Sequence, residues 1–311
     1  MEDRIKGIHH ITAIAGAAKR NVDFYTKVLG LRLIKKTVNF DDPQTYHFYY
    51  GDETGTPGSI LTFFPWEGIQ TGRRGTGQAT EIGYAVPNGS LDYWVKRFEE
   101  HHVTYNKVAE KFGERYLTFL DPDGLKFELV EAEEGDLRKG FVTKDIGEEF
   151  AIKGFQKITI TLASVAPTAA VLTDILGYKL EATEVNRFRY RTDASPTANI
   201  VDLVQVPGDQ RGFNGGGTVH HVAFRVANEE ILMKYRQKVE DAGLHITPKI
   251  DRNYFFSLYF REPGGVLFEI ATENPGFAVD EPVDSLGTHL KLPAQYESRR
   301  SELEKVLPKL D

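Results

Sequence analysis

The 311-residue chain contains no cysteine. That excludes disulfides, thiolate metal ligands and a cysteine nucleophile, so any bound metal must be held by His, Asp and Glu. No apolar run approaches the roughly 20 residues needed to span a bilayer. The opening residues, M-E-D-R-I-K-G, lack the apolar centre of a signal peptide, and a cytoplasmic location is expected. Basic residues are the minority: 38 Lys and Arg stand against 45 Asp and Glu, a net charge of −7. A mildly acidic surface argues against nucleic acid or an anionic membrane as the main partner.

What is present is an ordinary globular composition, 41% hydrophobic and 27% charged, with length for two domains of about 150 residues. Histidine is scarce, at nine, yet four of the nine stand in two doublets that head strand-like runs. These are G-I-H-H-I-T-A-I at 7–14 and T-V-H-H-V-A-F-R-V at 218–226, each heading an apolar, strand-like run. The chain also repeats itself. F-Y-T-K-V-L-G-L-R-L (24–33) resembles V-L-T-D-I-L-G-Y-K-L (171–180), and D-P-D-G-L-K-F-E-L (121–129) resembles E-P-G-G-V-L-F-E-I (262–270). The first pair reads as helix ends stopped by Gly30 and Gly177. The second reads as turns feeding strands that carry Glu128 and Glu269.

These echoes divide the chain into four units, each opening with a strand: 7–15, 80–87, 154–162 and 219–226. Helices are expected at 18–29, 90–102, 167–176 and 228–242, with three further strands after each, so every unit reads βαβββ. The fold class is α+β. One pair of modules, at 5–67 and 79–131, lies within 1–149; a second pair, at 153–206 and 218–272, lies within 150–276; residues 277–311 form a C-terminal extension that wraps the body and ends in a short helix after Pro293. The Gly-rich segment 68–78 reads as a loop, and 131–149 as the linker between halves. A βαβββ sheet exposes one apolar face, and two such units can close a half-open barrel.

Side chains alternate along a strand, so the two members of a doublet face opposite ways. His10 goes with Thr12 and Ile14, His9 with Ile11; His221 goes with Ala223, His220 with Val222. Alternation does not say which face is inward. Here the chain resembles the glyoxalase / bleomycin-resistance / extradiol-dioxygenase superfamily, over about 270 residues, in its βαβββ units, its His at the head of a unit and its F-E-I strand. The resemblance implies metal ligation by His10, 14 positions before Phe24, by the matching His221, and by Glu269. Two imidazoles and a carboxylate with open positions suit Fe(II), and Mn(II) fits the same ligands.

The ligand set bears on module pairing. Lys157 stands in unit three where unit one has His10, and Glu81 stands in unit two where unit four has His221. Pairing in chain order would give one barrel His10, Glu81 and Glu128, a mix like that of glyoxalases, and leave Lys157 among the other barrel's ligands. Pairing modules 1 and 4 gathers His10, His221 and Glu269, while modules 2 and 3 keep Glu81, Glu128 and Lys157, where a buried lysine offsets carboxylates without metal. The second arrangement is expected.

Longer stretches, among them D-F-Y-T-K-V-L-G-L-R-L-I-K-K-T-V-N-F-D-D, T-Y-H-F-Y-Y-G-D-E-T-G-T-P-G and T-V-H-H-V-A-F, resemble the hydroquinone-cleaving ring dioxygenases. That resemblance implies an Fe(II)-dependent, extradiol-type enzyme acting on hydroquinones with O2 and assembled as a homodimer or homotetramer. It also implies supporting roles for His9, Thr12, His220, Arg252 and Tyr259. Arg252 would stabilise negative charge, Tyr259 would donate a hydrogen bond, and a doublet histidine would carry a proton. Since His9 and His220 face away from the cup in a regular strand, a bulge, or a side chain reaching round the strand, is required. The alternatives are a glyoxalase-like divalent-metal lyase or isomerase, or a non-catalytic aromatic-binding resistance protein. His47 reads as a sheet residue, and His101 and His102 as residues closing a helix.

Overall fold

The protein is described by a computed structural model covering residues 3–310. Each unit contributes four strands. Module 1 holds β1 (Ile8–Ala15), β2 (Arg32–Val38), β3 (Tyr46–Gly51) and β4 (Ile60–Pro65). Module 2 holds β5 (Gln78–Val86), β6 (Ala109–Lys111), β7 (Glu114–Leu120) and β8 (Lys126–Glu131). Module 3 holds β9 (Gly154–Leu162), β10 (Lys179–Glu184), β11 (Arg187–Arg191) and β12 (Ile200–Gln205). Module 4 holds β13 (Thr218–Val226), β14 (Ile250–Asp251), β15 (Phe255–Arg261) and β16 (Leu267–Pro275).

Modules pair from the ends of the chain inward. One eight-stranded sheet runs β14-β15-β16-β13-β1-β4-β3-β2, joining modules 4 and 1; the other runs β10-β11-β12-β9-β5-β8-β7-β6, joining 3 and 2. The joints are antiparallel β1·β13 and β5·β9, with β4 and β16 flanking the first joint in parallel. The two curled sheets are the half-open barrels expected of this α+β chain, with modules 1 and 4 sharing one.

The helices cover the outer faces. In α2 (Leu91–Glu100), Leu91, Trp94 and Phe98 recur at helical spacing and are buried. In α4 (Glu229–Asp241), the Asn228 side chain accepts the Ile231 N–H at 3.1 Å, capping a helix that buries Ile231, Leu232, Tyr235 and Val239. The helices expected over 18–29 and 167–176 are not continuous. Short helices α1 (Ala18–Asp23) and α3 (Ala166–Ala170) each widen into one π turn, Phe24–Val28 and Val171–Ile175. There Leu29 N–H reaches Phe24 O and Leu176 N–H reaches Val171 O, both at 3.1 Å. The wider turn carries adjacent residues, Phe24 with Tyr25 and Val171 with Leu172, into the core together; α-helical neighbours are about 100° apart. Gly30 and Gly177 follow at φ +69° and +76°, a conformation an L side chain rarely adopts.

Two further segments hold the barrels. The Gly-rich stretch 68–78 is clasped against the matching stretch before β13, through bridges Thr71–Gly216, Arg73–Phe213 and Thr76–Arg211. The C-terminal extension buries Phe277 and Leu286 in a cluster with Ile34, Tyr49, Ile60, Ala223, Tyr254, Phe255 and Ala271, closing the floor of the first cup. It is locked by Lys35, fully buried, whose ammonium donates to Asp280 and Glu281 at 2.7 Å each. The chain then passes through a 3-10 turn (Ala294–Arg299) into α5 (Arg300–Val306). Among the described residues no helix is long and apolar enough to cross a membrane.

Candidate metal centre and its pocket

The β1·β13 ladder decides how the doublets point, because it breaks twice. Ile8 pairs with Phe224 and His10 with Ala223, so His9 is the extra residue on β1. Thr12 pairs with His221 and Ala13 with Val219, so His220 is the extra residue on β13. The first histidine of each doublet is thus a bulge residue, and its side chain can turn beside that of its neighbour instead of opposite to it.

Each bulge brings two imidazoles edge to edge. His9 Nδ1 lies 2.9 Å from His10 Nδ1, and His220 Nδ1 lies 2.8 Å from His221 Nδ1. On the His9 side the proton positions follow. His9 Nε2 is 3.0 Å from the Thr272 carbonyl, which can only accept, so that nitrogen carries hydrogen. Burial, reinforced by His10, holds the His9 pKa well below its ordinary value, so the ring is neutral and its Nδ1 accepts. His10 Nδ1 must then donate, which leaves a lone pair on His10 Nε2. His220 makes the same contact to His221, but its Nε2 has no hydrogen-bond partner among the described residues. Burial lowers the His220 pKa to about 3 and also lowers that of His221, so these rings are neutral too.

The two Nε2 atoms converge. His10 Nε2 is 3.3 Å from His221 Nε2, and the two lie 3.2 and 2.9 Å from Glu269 Oε2. Glu269, opposite Tyr259 on β15 and Ala223 on β13, is fully buried. Burial opposes its ionisation, and it is proton-bearing nitrogens of His10 and His221 that hold the carboxyl well below the usual range; neutral rings with lone pairs toward it leave that work to a cation. Its oxygens lie close to the imidazole nitrogens without hydrogen-bond geometry, and both lack a hydrogen-bond partner among the described residues. A buried carboxylate with orphaned oxygens, beside two imidazole Nε2 atoms, is a set that could hold a divalent cation.

The cluster lies at one side of a cavity of about 270 Å³. Thr12, His220, Arg252 and Tyr259 line it beside His10 and His221. His9 does not; it lies behind His10, against the Phe255 ring at 5.1 Å. Arg252 Nε donates to the Tyr259 hydroxyl at 3.2 Å, and Tyr259 packs edge-on against His221 at 5.5 Å. Burial, then the Glu269 charge, raise the Tyr259 pKa, so the phenol stays protonated. Burial works against the Arg252 charge, but Tyr259 and Glu269 outweigh it, and the guanidinium stays charged. The apolar walls are Phe40, Phe64, Trp66, Phe255 and Leu267. Sequence reasoning passed over these, and passed over His47 and Tyr49 as pocket residues. The alternation in T-Y-H-F-Y-Y does place His47 and Tyr49 on one face, but only the β3·β4 pairing shows that this face is the cup. His101 and His102, at the end of α2, do not line the cavity.

The second cup keeps the same backbone with other chemistry. Its β5·β9 ladder is bulged at Thr80, before Glu81, and at Gln156, before Lys157. The positions of His10, His221 and Glu269 are held by Lys157, Glu81 and Glu128. Lys157 is fully buried, 2.9 Å from Glu114 and 3.5 Å from Glu128, and the Lys111 ammonium bridges Glu128 and Glu81. Arg189 joins Glu114 at 2.8 Å and Asp202 at 2.9 Å. Ammonium groups therefore sit among these carboxylates, as Lys157 led us to expect; Lys111, on the edge strand β6, carried no signal in the sequence.

Comparison with known proteins agrees with this architecture. A family model described as the Glyoxalase/Bleomycin resistance protein/Dioxygenase superfamily matches residues 7–129 and 154–270. The "Putative ring-cleaving dioxygenase MhqO" of Bacillus subtilis (strain 168) is 47% identical over 310 residues, covering 99% of this chain and 97% of that protein. The "Chlorohydroquinone/hydroquinone 1,2-dioxygenase" of Sphingobium indicum is 35% identical over 310 residues, covering 97% and 96%. A crystal structure of a "putative dioxygenase" from Bacillus subtilis superposes with a TM-score of 0.95 at 45% identity, covering 99% of this chain and 98% of that one.

Proposed function

The chain belongs to the glyoxalase/bleomycin resistance protein/dioxygenase superfamily, and on that premise we propose that it is an Fe(II)-dependent, extradiol-type dioxygenase that opens the ring of hydroquinones with O2. The observation that carries the reading is the pairing of an open His-His-carboxylate face with an apolar pocket that also holds a charged arginine and a protonated tyrosine. His10, His221 and Glu269 would hold the metal, leaving about three positions open for substrate and O2, as non-heme Fe(II) oxygenases require; Mn(II) fits the same donors. Bound there, Fe(II) would supply the redox chemistry that lets O2 react with an aromatic ring. The substrate class rests on the Sphingobium relative named for hydroquinones.

The chain's own residues divide the remaining work. Phe40, Phe64, Trp66, Phe255 and Leu267 receive the ring's faces and exclude water. Arg252 offers a fixed positive charge to oxygen that becomes anionic when a phenol ionises. Because Tyr259 accepts from Arg252, its own O–H is left to donate to a substrate oxygen. Thr12 presents a hydroxyl beside His10. His220 is the doublet histidine that can exchange a proton with a ligand, since it lines the pocket; His9 instead orients His10. Oxygen uptake on adding methylhydroquinone to anaerobically iron-loaded protein tests the reading, and a ring-opened acid is the expected product. Bound iron with no uptake for any hydroquinone or catechol overturns it in favour of a lyase or a binding protein.

A further inference from the structure

One wall of the pocket carries a polar row of which the roles above use only Thr12. Thr12 on β1, Thr62 on β4 and Tyr49 on β3 are cross-strand partners in one row of the sheet. His47 stands two residues before Tyr49, on the same face of β3. Their side chains form an unbroken series: Thr12 Oγ1 lies 2.8 Å from Thr62 Oγ1, Thr62 Oγ1 lies 3.0 Å from His47 Nε2, and His47 Nδ1 lies 3.0 Å from the Tyr49 hydroxyl. Thr62 is fully buried, and Tyr49 and Thr12 are nearly so. Thr12, His47 and Tyr49 face the cavity, while Thr62 joins them from behind. One end lies two residues from His10 on β1, and the other is Tyr49 on β3, two strands away in the same sheet.

We propose that Thr12, Thr62, His47 and Tyr49 form a proton relay running along this wall from the metal cup to the pocket at Tyr49, with His47 as the positioning residue that lets it run both ways. Every member is amphoteric: hydroxyls donate and accept, and a neutral imidazole donates at one nitrogen while accepting at the other. Burial keeps His47 neutral, with its pKa well below the ordinary value. Two arrangements satisfy every contact. In one, Thr12 donates to Thr62, Thr62 to His47 Nε2, and His47 Nδ1–H to the Tyr49 oxygen, leaving the Tyr49 proton for the pocket. In the other, Tyr49 donates to Nδ1, Nε2–H to Thr62, and Thr62 to Thr12, leaving the Thr12 proton for the cup. A proton arriving at Thr12 converts the first into the second: each O–H or N–H proton moves one link along, Tyr49 releases one, and every member ends with as many protons as it had. The reverse passage returns it. On the hydroquinone reading of this site, on which the assigned use rests, the phenol proton lost at binding is the one carried, and ring opening takes it back.

The first test needs neither metal nor substrate. In the metal-free full chain with nitrogen-15 histidine, the His47 signals, identified by their loss in His47→Gln, should report a neutral ring shared between both tautomers. Thr12→Val, which removes a hydroxyl that His47 does not touch, should drive His47 to the Nδ1–H tautomer, because Thr62 can then donate only to Nε2; Thr12→Ser should restore the mixture. A single tautomer unaffected by Thr12→Val overturns the relay. In the iron-loaded enzyme, Thr62→Val should lower kcat about a hundredfold with KM and metal affinity unchanged, and reduce a multi-proton solvent isotope effect to a single-proton one. Unchanged kcat overturns the relay as well. Absence of turnover in the unsubstituted chain would defeat the functional reading alone, and the tautomer measurement would still decide the relay.

Discussion

Replacing His9 by leucine should weaken metal binding without touching a ligand. The imidazole is 2% exposed and makes two directed contacts, 2.9 Å to His10 Nδ1 and 3.0 Å to the Thr272 carbonyl. Leucine fills similar space but strands a donor and an acceptor, each costing about 1–3 kcal/mol when buried and unpaired. The larger consequence is for His10, which loses the acceptor that keeps its hydrogen on Nδ1 and its lone pair on Nε2. Outer partners of metal-bound histidines are worth about 10–100-fold in metal affinity, or about 1.4–2.8 kcal/mol. Competition of apo-protein against a chelator measures this directly, with circular dichroism confirming the fold. His9→Gln, which retains an acceptor, should fall between. His220→Leu should cost less affinity, because nothing fixes the second nitrogen of His220, yet more turnover, because His220 faces the pocket. Equal metal affinity in His9→Leu and the unsubstituted chain would refute the orienting role.

The charged second cup makes two further predictions. Glu81 and Glu114 are held down at about 2: burial opposes their ionisation, but Lys111 and Lys126 beside Glu81, and Lys157 and Arg189 beside Glu114, outweigh it. Their stabilisation is present above the unfolded carboxyl value near 4.5 and is lost as pH falls towards 2, up to about 3 kcal/mol each. Thermal melts between pH 5 and 2 should show Tm falling, with a shallower fall in Glu114→Gln; parallel curves would count against these pairs. Metal titration should give one ion per chain, and Lys111→Met, Lys157→His and Glu81→His together should add a second, because the bulged backbone is already in place. A second ion in the unsubstituted chain would contradict the ammonium groups as its replacement.

Much of the architecture is local and repetitive, and so it was legible in sequence. Four apolar strand starts, the doubled helix ends at Gly30 and Gly177, and the paired turns before Glu128 and Glu269 define four modules. The identities of Lys157 and Glu81 then disfavour chain-order pairing, because a lysine cannot complete a metal site. The π turns at Phe24 and Val171 escaped because one inserted residue barely disturbs helical periodicity over so short a stretch.

The sequence by itself determined which residue types the site could use and that they recur at matching places in the modules. Tertiary structure alone decided where His9 and His220 point. Strand alternation aims them away from the cup, and only the register between strands some 200 residues apart inserts the two bulges that turn each toward its neighbour. The same holds for the Thr12–Thr62–His47–Tyr49 row and for Lys111. Each depends on cross-strand pairing, a relation between distant segments that neither composition nor periodicity encodes.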